Sequence, residues 1–319
     1  MRSMNNEQTA RTSGEATSLA FHRPRRSDPF GLSWIPTDYS MARAARAQAP
    51  AAAAPRPANH ADAWGQGSGA PSVQRETGPS NQLLASLPPE VAEALRSRIV
   101  SVDLAAGTVL HETGTILRHV YFPVTAVISL VSPLQGGACA EVAVVGREGV
   151  VGVCAFMGGG NALSNAVVQR AGSAWRMNAL DIADLSRTHP ALMQRLLRYT
   201  QAMLTHMALT SACYRHHALA QQLCRWLLQH LDRQGDMDLW ITHERIAGML
   251  GVRREGVTGA AQQLQRQGLI LCSRGHIRLL DRPRLEQHTC ECYRVVERAY
   301  DELRQCESHS PHPLAAAPR

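Results

Sequence analysis

Near residue 188 the hydrophobic period of this 319-residue chain switches, and the switch limits the folds open to it. Upstream, apolar residues come in short runs punctuated by turn residues. Ile99–Leu104 ends at Ala105-Ala106-Gly107, and Val109-Leu110 precedes Glu112-Thr113-Gly114. Val120–Pro123 and Ala126–Ser132 lead to Gly136-Gly137, and Ala140–Val145 ends at Gly146–Gly149. Val167–Arg170 and Ala174–Asn178 close the series. Short runs at this spacing predict a β-roll or barrel. Two short helices are expected ahead of it, from Asn81 and from Ser86/Pro88-Pro89. Downstream, no proline or glycine interrupts the chain between Pro190 and Gly235. Leu192, Leu196, Tyr199, Met203, His206 or Met207, Thr210 and Cys213 recur at three- to four-residue steps. A second register, Leu219, Leu223, Trp226, Leu227 and Leu231, starts after the polar patch Arg215-His216-His217. Two consecutive helices are predicted, the first with one apolar stripe suited to its own domain or to a second copy.

Composition narrows the class. The chain is 45% hydrophobic, enough for a sizeable core. No apolar run reaches the roughly 18–20 residues of a membrane span; the best stretch, Ala140–Gly160, is interrupted by Glu141, Arg147 and Glu148. No apolar core follows the early arginines, so a secretory signal is not expected and a cytoplasmic location is. Eight cysteines are too sparse for a disulfide scaffold. Residues 1–80, rich in Ala, Pro, Gly, Ser and Arg, are expected to be a disordered extension, and Met4 and Met41 are alternative starts.

All 33 cationic side chains are arginine, against 26 acids, for a net charge of +7. Genomic base composition accounts for the absence of lysine. The charge is uneven: residues 242–284 carry +5, whereas residues 81–187 carry −1. A local basic excess is the footprint of a face that binds a polyanion.

That basic segment has the spacing of a helix-turn-helix. Thr242 is an N-cap residue, with Glu244 in the first turn. Ile246, Ala247 and Leu250 form an apolar face; Gly251 then permits the positive φ of a tight turn, and Val252 plugs the angle between helices. A second helix follows from Arg253, with Val257, Ala260, Ala261 and Leu264 inward. Gly268–Leu280 reads as two short strands around Arg274-Gly275, so the unit is a winged helix. Arg253, Arg254 and Glu255 stand at the N-terminus of the second helix, the end that reaches base edges in the major groove. There an arginine can pair bidentately with guanine and a glutamate can accept from cytosine. The expected DNA-binding set is Thr242, His243, Arg253, Arg254, Glu255, Thr258, Arg266 and Arg274. Arg278, Arg282 and Arg284 are added as phosphate contacts, which position without reading sequence.

The order β-roll, long helix, winged helix, with Ile241–Thr258, resembles the cyclic-AMP receptor/Fnr family of bacterial transcription regulators over about residues 81–284. The resemblance implies an α+β chain: a cyclic-nucleotide-binding-like β-roll at 81–187, a dimerisation helix at 188–214 and a winged helix-turn-helix at 215–284. A C-terminal helix or tail fills 285–319. It further implies a homodimer on double-stranded DNA, with RNA polymerase as a partner and no membrane role.

Three departures qualify what the family implies. Members that bind cyclic nucleotides carry a Gly-Glu-Leu turn and an Arg-Ser/Thr-Ala segment; here Val153 stands for the glutamate, and Ser164-Asn165-Ala166 for the second segment. A phosphate without a paired cation is poorly held, so tight binding of cyclic AMP or cyclic GMP is not expected. Arg147, Val153, Ser164 and Asn165 are the effector-site candidates, and Arg147 or Arg170 could serve another anion. Oxygen-sensing relatives carry an N-terminal cysteine cluster, but the first cysteine here is Cys139. Family recognition helices read Arg-Glu-Thr-Val-x-Arg; here Gly256 and Gly259 replace the threonine and the last arginine, at about 1 kcal/mol each against alanine.

His288, Cys290 and Cys292 form an H-x-C-x-C group lacking a fourth ligand nearby in sequence, so no metal and no cofactor are assigned. No nucleophile elbow, phosphate loop, zinc-protease helix or paired-carboxylate constellation appears, so no enzyme activity is expected. The expected function is a dimeric, sequence-specific transcription regulator whose β-roll senses an unspecified effector. The alternatives are a cyclic-nucleotide-responsive regulator with an altered pocket, or a redox- or metal-responsive regulator acting through the cysteines.

Overall fold

The computed structural model describes residues 81–305; the expected disordered extension, 1–80, lies outside them. Two short helices, α1 (Gln82–Ala85) and α2 (Pro89–Arg96), open the fold. Asn81 caps α1 by accepting from Leu84 N–H, and its buried amide donates to the carbonyls of Pro123 and Gly149, which anchors the helix to the sheets. Seven strands follow: β1 (Ile99–Leu104), β2 (Val109–His111), β3 (His119–Pro123), β4 (Val127–Pro133), β5 (Cys139–Val145), β6 (Asn165–Arg170) and β7 (Gly172–Asn178). They form two antiparallel sheets, ordered β1-β7-β3 and β2-β6-β4-β5. Val102, Phe122, Ala174 and Met177 from the first join Ile128, Leu130, Ala143 and Val168 from the second in one buried core. This is the expected β-roll.

Helix α3 (Ala179–Thr188) occupies the last residues of the segment expected to be β-roll. Its signals are local: Asn178 accepts from Leu180 N–H, Asp181 stands in the first turn and Arg187 in the last. The two predicted helices are α4 (Pro190–His216) and α5 (Leu219–Gln234), with the break at His217-Ala218. The predicted stripe of α4 (Leu192, Leu196, Tyr199, Met203) packs into the chain's own β-roll core.

The outer face of the four-stranded sheet is covered by α5, and α4 also packs on β5. Strand β4 is therefore buried on both faces from Val127 to Val131. Charges are buried in this seam. Glu141 on β5 meets His230 Nε2 at 3.0 Å, with both side chains almost fully buried. Arg233 donates to Glu297 Oε1 at 2.6 Å, lies 3.4 Å from Glu148 and stacks on the Tyr300 ring. Tyr214 OH lies 2.9 Å from the Glu141 carbonyl and 3.3 Å from that of Met249, which share its one proton, tying α4 to both sides.

The C-terminal part contains α6 (His243–Leu250), α7 (Arg254–Arg266), and a sheet of β8 (Asp238–Leu239), β10 (His276–Leu279) and β9 (Ile270–Ser273) in that order. The two wing strands were expected; β8, a two-residue addition, was not. Helices α8 (Arg282–His288) and α9 (Glu291–Gln305) end the described chain. The sequence boundary at 284/285 falls inside α8. Helix α9 returns to α4, placing Val296, Tyr300 and Leu303 in the β-roll core. No helix among the described residues is long and apolar enough to cross a membrane.

Candidate nucleic-acid interface

Helix α6 starts where Thr242 Oγ1 accepts from Arg245 N–H at 3.3 Å. It ends at Gly251, whose φ of 65° is the left-handed cap the turn requires. Val252 N–H returns to Ala247 O, and its side chain packs on the second core, formed by Leu223, Trp226, Ile246, Leu250, Val257 and Leu264 among others. Helix α7 therefore presents its other side to solvent: Arg253, Arg254, Glu255, Gly259, Gln262, Gln263 and Arg266 are exposed.

The expected contact residues divide by position. Arg253 is the N-cap of α7, and Arg254 and Glu255 occupy its first turn. His243 Nδ1 lies 3.2 Å from Thr258 Oγ1, joining α6 to α7. Burial, and then nearby Arg254, hold His243 below its ordinary value, which favours the neutral ring. Arg274 is exposed at the tip of the wing. Arg266 closes the last turn of the 13-residue α7, about 18 Å of helix from Arg254, away from the reading end.

Partners separate the arginines further. Among the described residues, Arg253, Arg266 and Arg274 form no ion pair, and Arg254 has one loose contact, 3.9 Å to Glu244, with both side chains well exposed. The three arginines expected as further phosphate contacts all lie near acidic side chains. Arg278 makes two 2.9 Å bonds to Asp238. Arg282 is half-buried against Asp232, Glu286 and Tyr293. Arg284 lies 3.9 Å from Asp281. Arg278 and Arg282 thus have close counter-charges, whereas the Arg284 contact is as loose as that of Arg254.

Of the effector candidates, Val153, Ser164 and Asn165 lie in or beside the segment 151–166, and Arg147 lies apart from them. Val153 lies in a single 3-10 turn (Val153–Ala155) after Gly152; Ser164 is buried just before β6, and Asn165 begins that strand. Asn165 Oδ1 accepts from the Thr113 amide and hydroxyl, so it braces the β2–β6 corner. Residues 151–166 contain no charged side chain. Arg147 is elsewhere, lining a small hollow with Gln82, Glu148, Asp232, Arg233, Glu297 and Tyr300. Arg170 donates to Gln234 O and lies near Asp236. Neither arginine supplies the missing phosphate partner.

The cysteine reading also changes. His288 Nδ1 bonds Arg284 O. Cys290 and Cys292 instead meet Cys213 and His217 from the end of α4, and the four potential ligand atoms all lie within 4.8 Å of one another. The Cys213 thiol, 3.6 Å from Cys290, lowers the Cys290 thiol by hydrogen bonding. Distance along the chain hid this group. The available signal was the i, i+4 spacing of Cys213 and His217, which puts them on one helix face.

Two family models match the chain in order. Residues 101–189 match the cyclic nucleotide-binding domain, and residues 221–288 match the Crp-like helix-turn-helix domain. The chain belongs to the Crp/Fnr family of transcription regulators. A Crp/Fnr-family regulator from Eubacterium rectale is 18% identical with TM-score 0.53, over 65% of this chain and 96% of its own. FixK2 from Bradyrhizobium japonicum is 18% identical with TM-score 0.52, over 60% and 98%. The c-di-GMP responsive regulator CLP of Xanthomonas campestris is 13% identical with TM-score 0.52, over 61% and 100%. At these identities the likeness is one of fold. No curated protein matches the chain significantly. This chain is thus a DNA-binding transcription regulator of Crp/Fnr type, with a cyclic nucleotide-binding domain ahead of its helix-turn-helix.

Proposed function

We propose that the regulator binds a palindromic DNA site as a homodimer, with the N-terminus of α7 in the major groove. Arg254 and Glu255 read base edges, while Arg253 and Arg274 grip phosphates. One observation carries this reading: the arginines of the reading end and wing tip lack firm counter-charges, whereas Arg278 and Arg282 beside them have theirs.

Helix α4 supports the dimer. Its outward stripe, Leu197, Gln201, Leu204, Ala208 and Ser211, alternates steps of four and three, and Leu197 and Leu204 are 52% and 58% exposed. That is a coiled-coil seam on the face opposite the predicted stripe. The β-roll does not use cyclic AMP or cyclic GMP, because its loop carries no charged side chain.

Selection of bound sequences from a random duplex pool, with sedimentation of the complex, tests the proposal. The expected result is an inverted repeat bound by two chains. Enrichment of no sequence, or a monomer on a single half-site, contradicts it. Calorimetry with millimolar cyclic AMP should show no saturable heat; a micromolar isotherm refutes the effector statement.

A further inference from the structure

We propose that Cys213, His217, Cys290 and Cys292 form a Cys3His site for one tetrahedral divalent ion of the zinc class, pinning the start of α9 to the joint between α4 and α5. The geometry is that of one ion. Zinc–sulfur bonds of about 2.3 Å in a tetrahedron put neighbouring sulfurs roughly 3.8 Å apart. Cys213 Sγ and Cys290 Sγ are 3.6 Å apart, and Cys292 Sγ is 3.7 Å from His217 Nδ1. A disulfide needs about 2.0 Å, so the thiols stand at ligand spacing rather than bonding distance. The sulfurs are dry: Cys213, Cys290 and Cys292 are 0%, 3% and 3% exposed, with Leu209 packed on them.

Two further observations point to a cation. His217 Nε2 lies 3.3 Å from Glu291 Oε1, so the carboxylate orients the ring and leaves Nδ1 facing the sulfurs. Zinc-ligating histidines use this carboxylate arrangement. The second observation is Arg225, 1% exposed and held by Thr210 and Gln229 but paired with no carboxylate among the described residues. Its field acts on both Cys213 and Cys292. A buried guanidinium without a counter-charge is costly. Three thiolates around a divalent ion carry one net negative charge, which balances Arg225. On metal binding each of the three thiols releases its proton to solvent and no electron moves.

The site has a defined mechanical place. His217 is the break between α4 and α5, and Cys290 and Cys292 flank the start of α9, which runs into the β-roll core. The ion would hold the sensor's long helix, the first helix of the DNA-binding part and the terminal helix at one point.

The test uses the full chain purified under reducing conditions without a metal-affinity tag. Elemental analysis should give one zinc per chain, and cobalt exchange should give the visible bands of tetrahedral cobalt thiolate. Cys292→Ser and the partly exposed His217→Gln should each reduce metal content at least tenfold. His288→Ala, which removes the motif histidine that is not among the four ligands, should retain one ion. Chelation should raise amide exchange across Glu291–Gln305. A chain that takes up neither zinc nor cobalt overturns the proposal. So does an ion lost in His288→Ala but kept in His217→Gln, or a Cys213–Cys290 disulfide in place of metal.

Discussion

Arg233 and Arg254 are the same residue in opposite settings. Arg233 is buried in the seam between sheet, α5 and α9, against Glu148, Glu297 and the Tyr300 ring. Arg254 stands in solvent at the head of α7 with one loose acidic neighbour. In a chain with no lysine, the fold rather than the residue type decides which cations build the molecule and which face a partner. A buried charge demands its counter-charge from the same chain. An exposed, unpaired one leaves its hydrogen-bond donors for a ligand.

Removing a seam cation should break this contrast most severely. Arg233→Ala strands the buried Glu148 and the partly buried Glu297 and should cost about 3–5 kcal/mol in urea denaturation; a loss below 1 kcal/mol would mean water already reaches the seam. On the exposed side, Arg254→Ala should weaken binding to the selected DNA site by about 1–3 kcal/mol without altering stability. Arg278→Ala, whose guanidinium is committed to Asp238, should leave affinity nearly unchanged in the same titration.

The interior's intolerance of unpaired charge can be checked by pH. Burial lowers the His111 ring from 6.5 to about 4, and its Nδ1 has no hydrogen-bond partner. The unfolded chain takes up a proton near 6.5 and the folded chain only near 4. This contribution to stability is therefore complete above pH 6.5 and is lost as the pH falls, by at most about 1.4 kcal/mol per unit. His111→Gln should flatten the denaturation midpoint between pH 6.5 and 5; an unchanged slope assigns it to other groups.

The smallest effect concerns the reading helix itself. A Cβ on Gly259 would meet nothing within 4 Å, whereas one on Gly256 would come within 2.8 Å of Leu219. Gly259→Ala should raise stability by roughly 0.5–1 kcal/mol in thermal melts, and Gly256→Ala should gain less or lose.

The sequence made the architecture legible because the evidence for each element was local. Strand runs with turn residues, an uninterrupted helical period, and Thr242, Gly251 and Gly275 at cap and turn positions all act over a few residues. Helix α3 is obscured because its cap, Asn178, is also the last residue of β7, so the strand runs into the helix with no turn between them. The seam was not legible, since pairs such as Glu141–His230 join residues distant along the chain. The same holds at the sites: Arg254 could be placed at a helix N-terminus from spacing alone, but that Arg278 and Arg282 are already paired depends on Asp238 and Asp232. Cys213 and His217 meet Cys290 and Cys292 only after α9 folds back.

The contrast between free and committed arginines is tested most directly by base-preference profiles. Wild type, Arg254→Ala and Arg278→Ala would be run against the same random duplex pool. Arg254→Ala should lose preference at one position, repeated symmetrically in both half-sites, while Arg278→Ala should keep the wild-type profile. Identical profiles for wild type and Arg254→Ala, or loss of preference in Arg278→Ala, would contradict it.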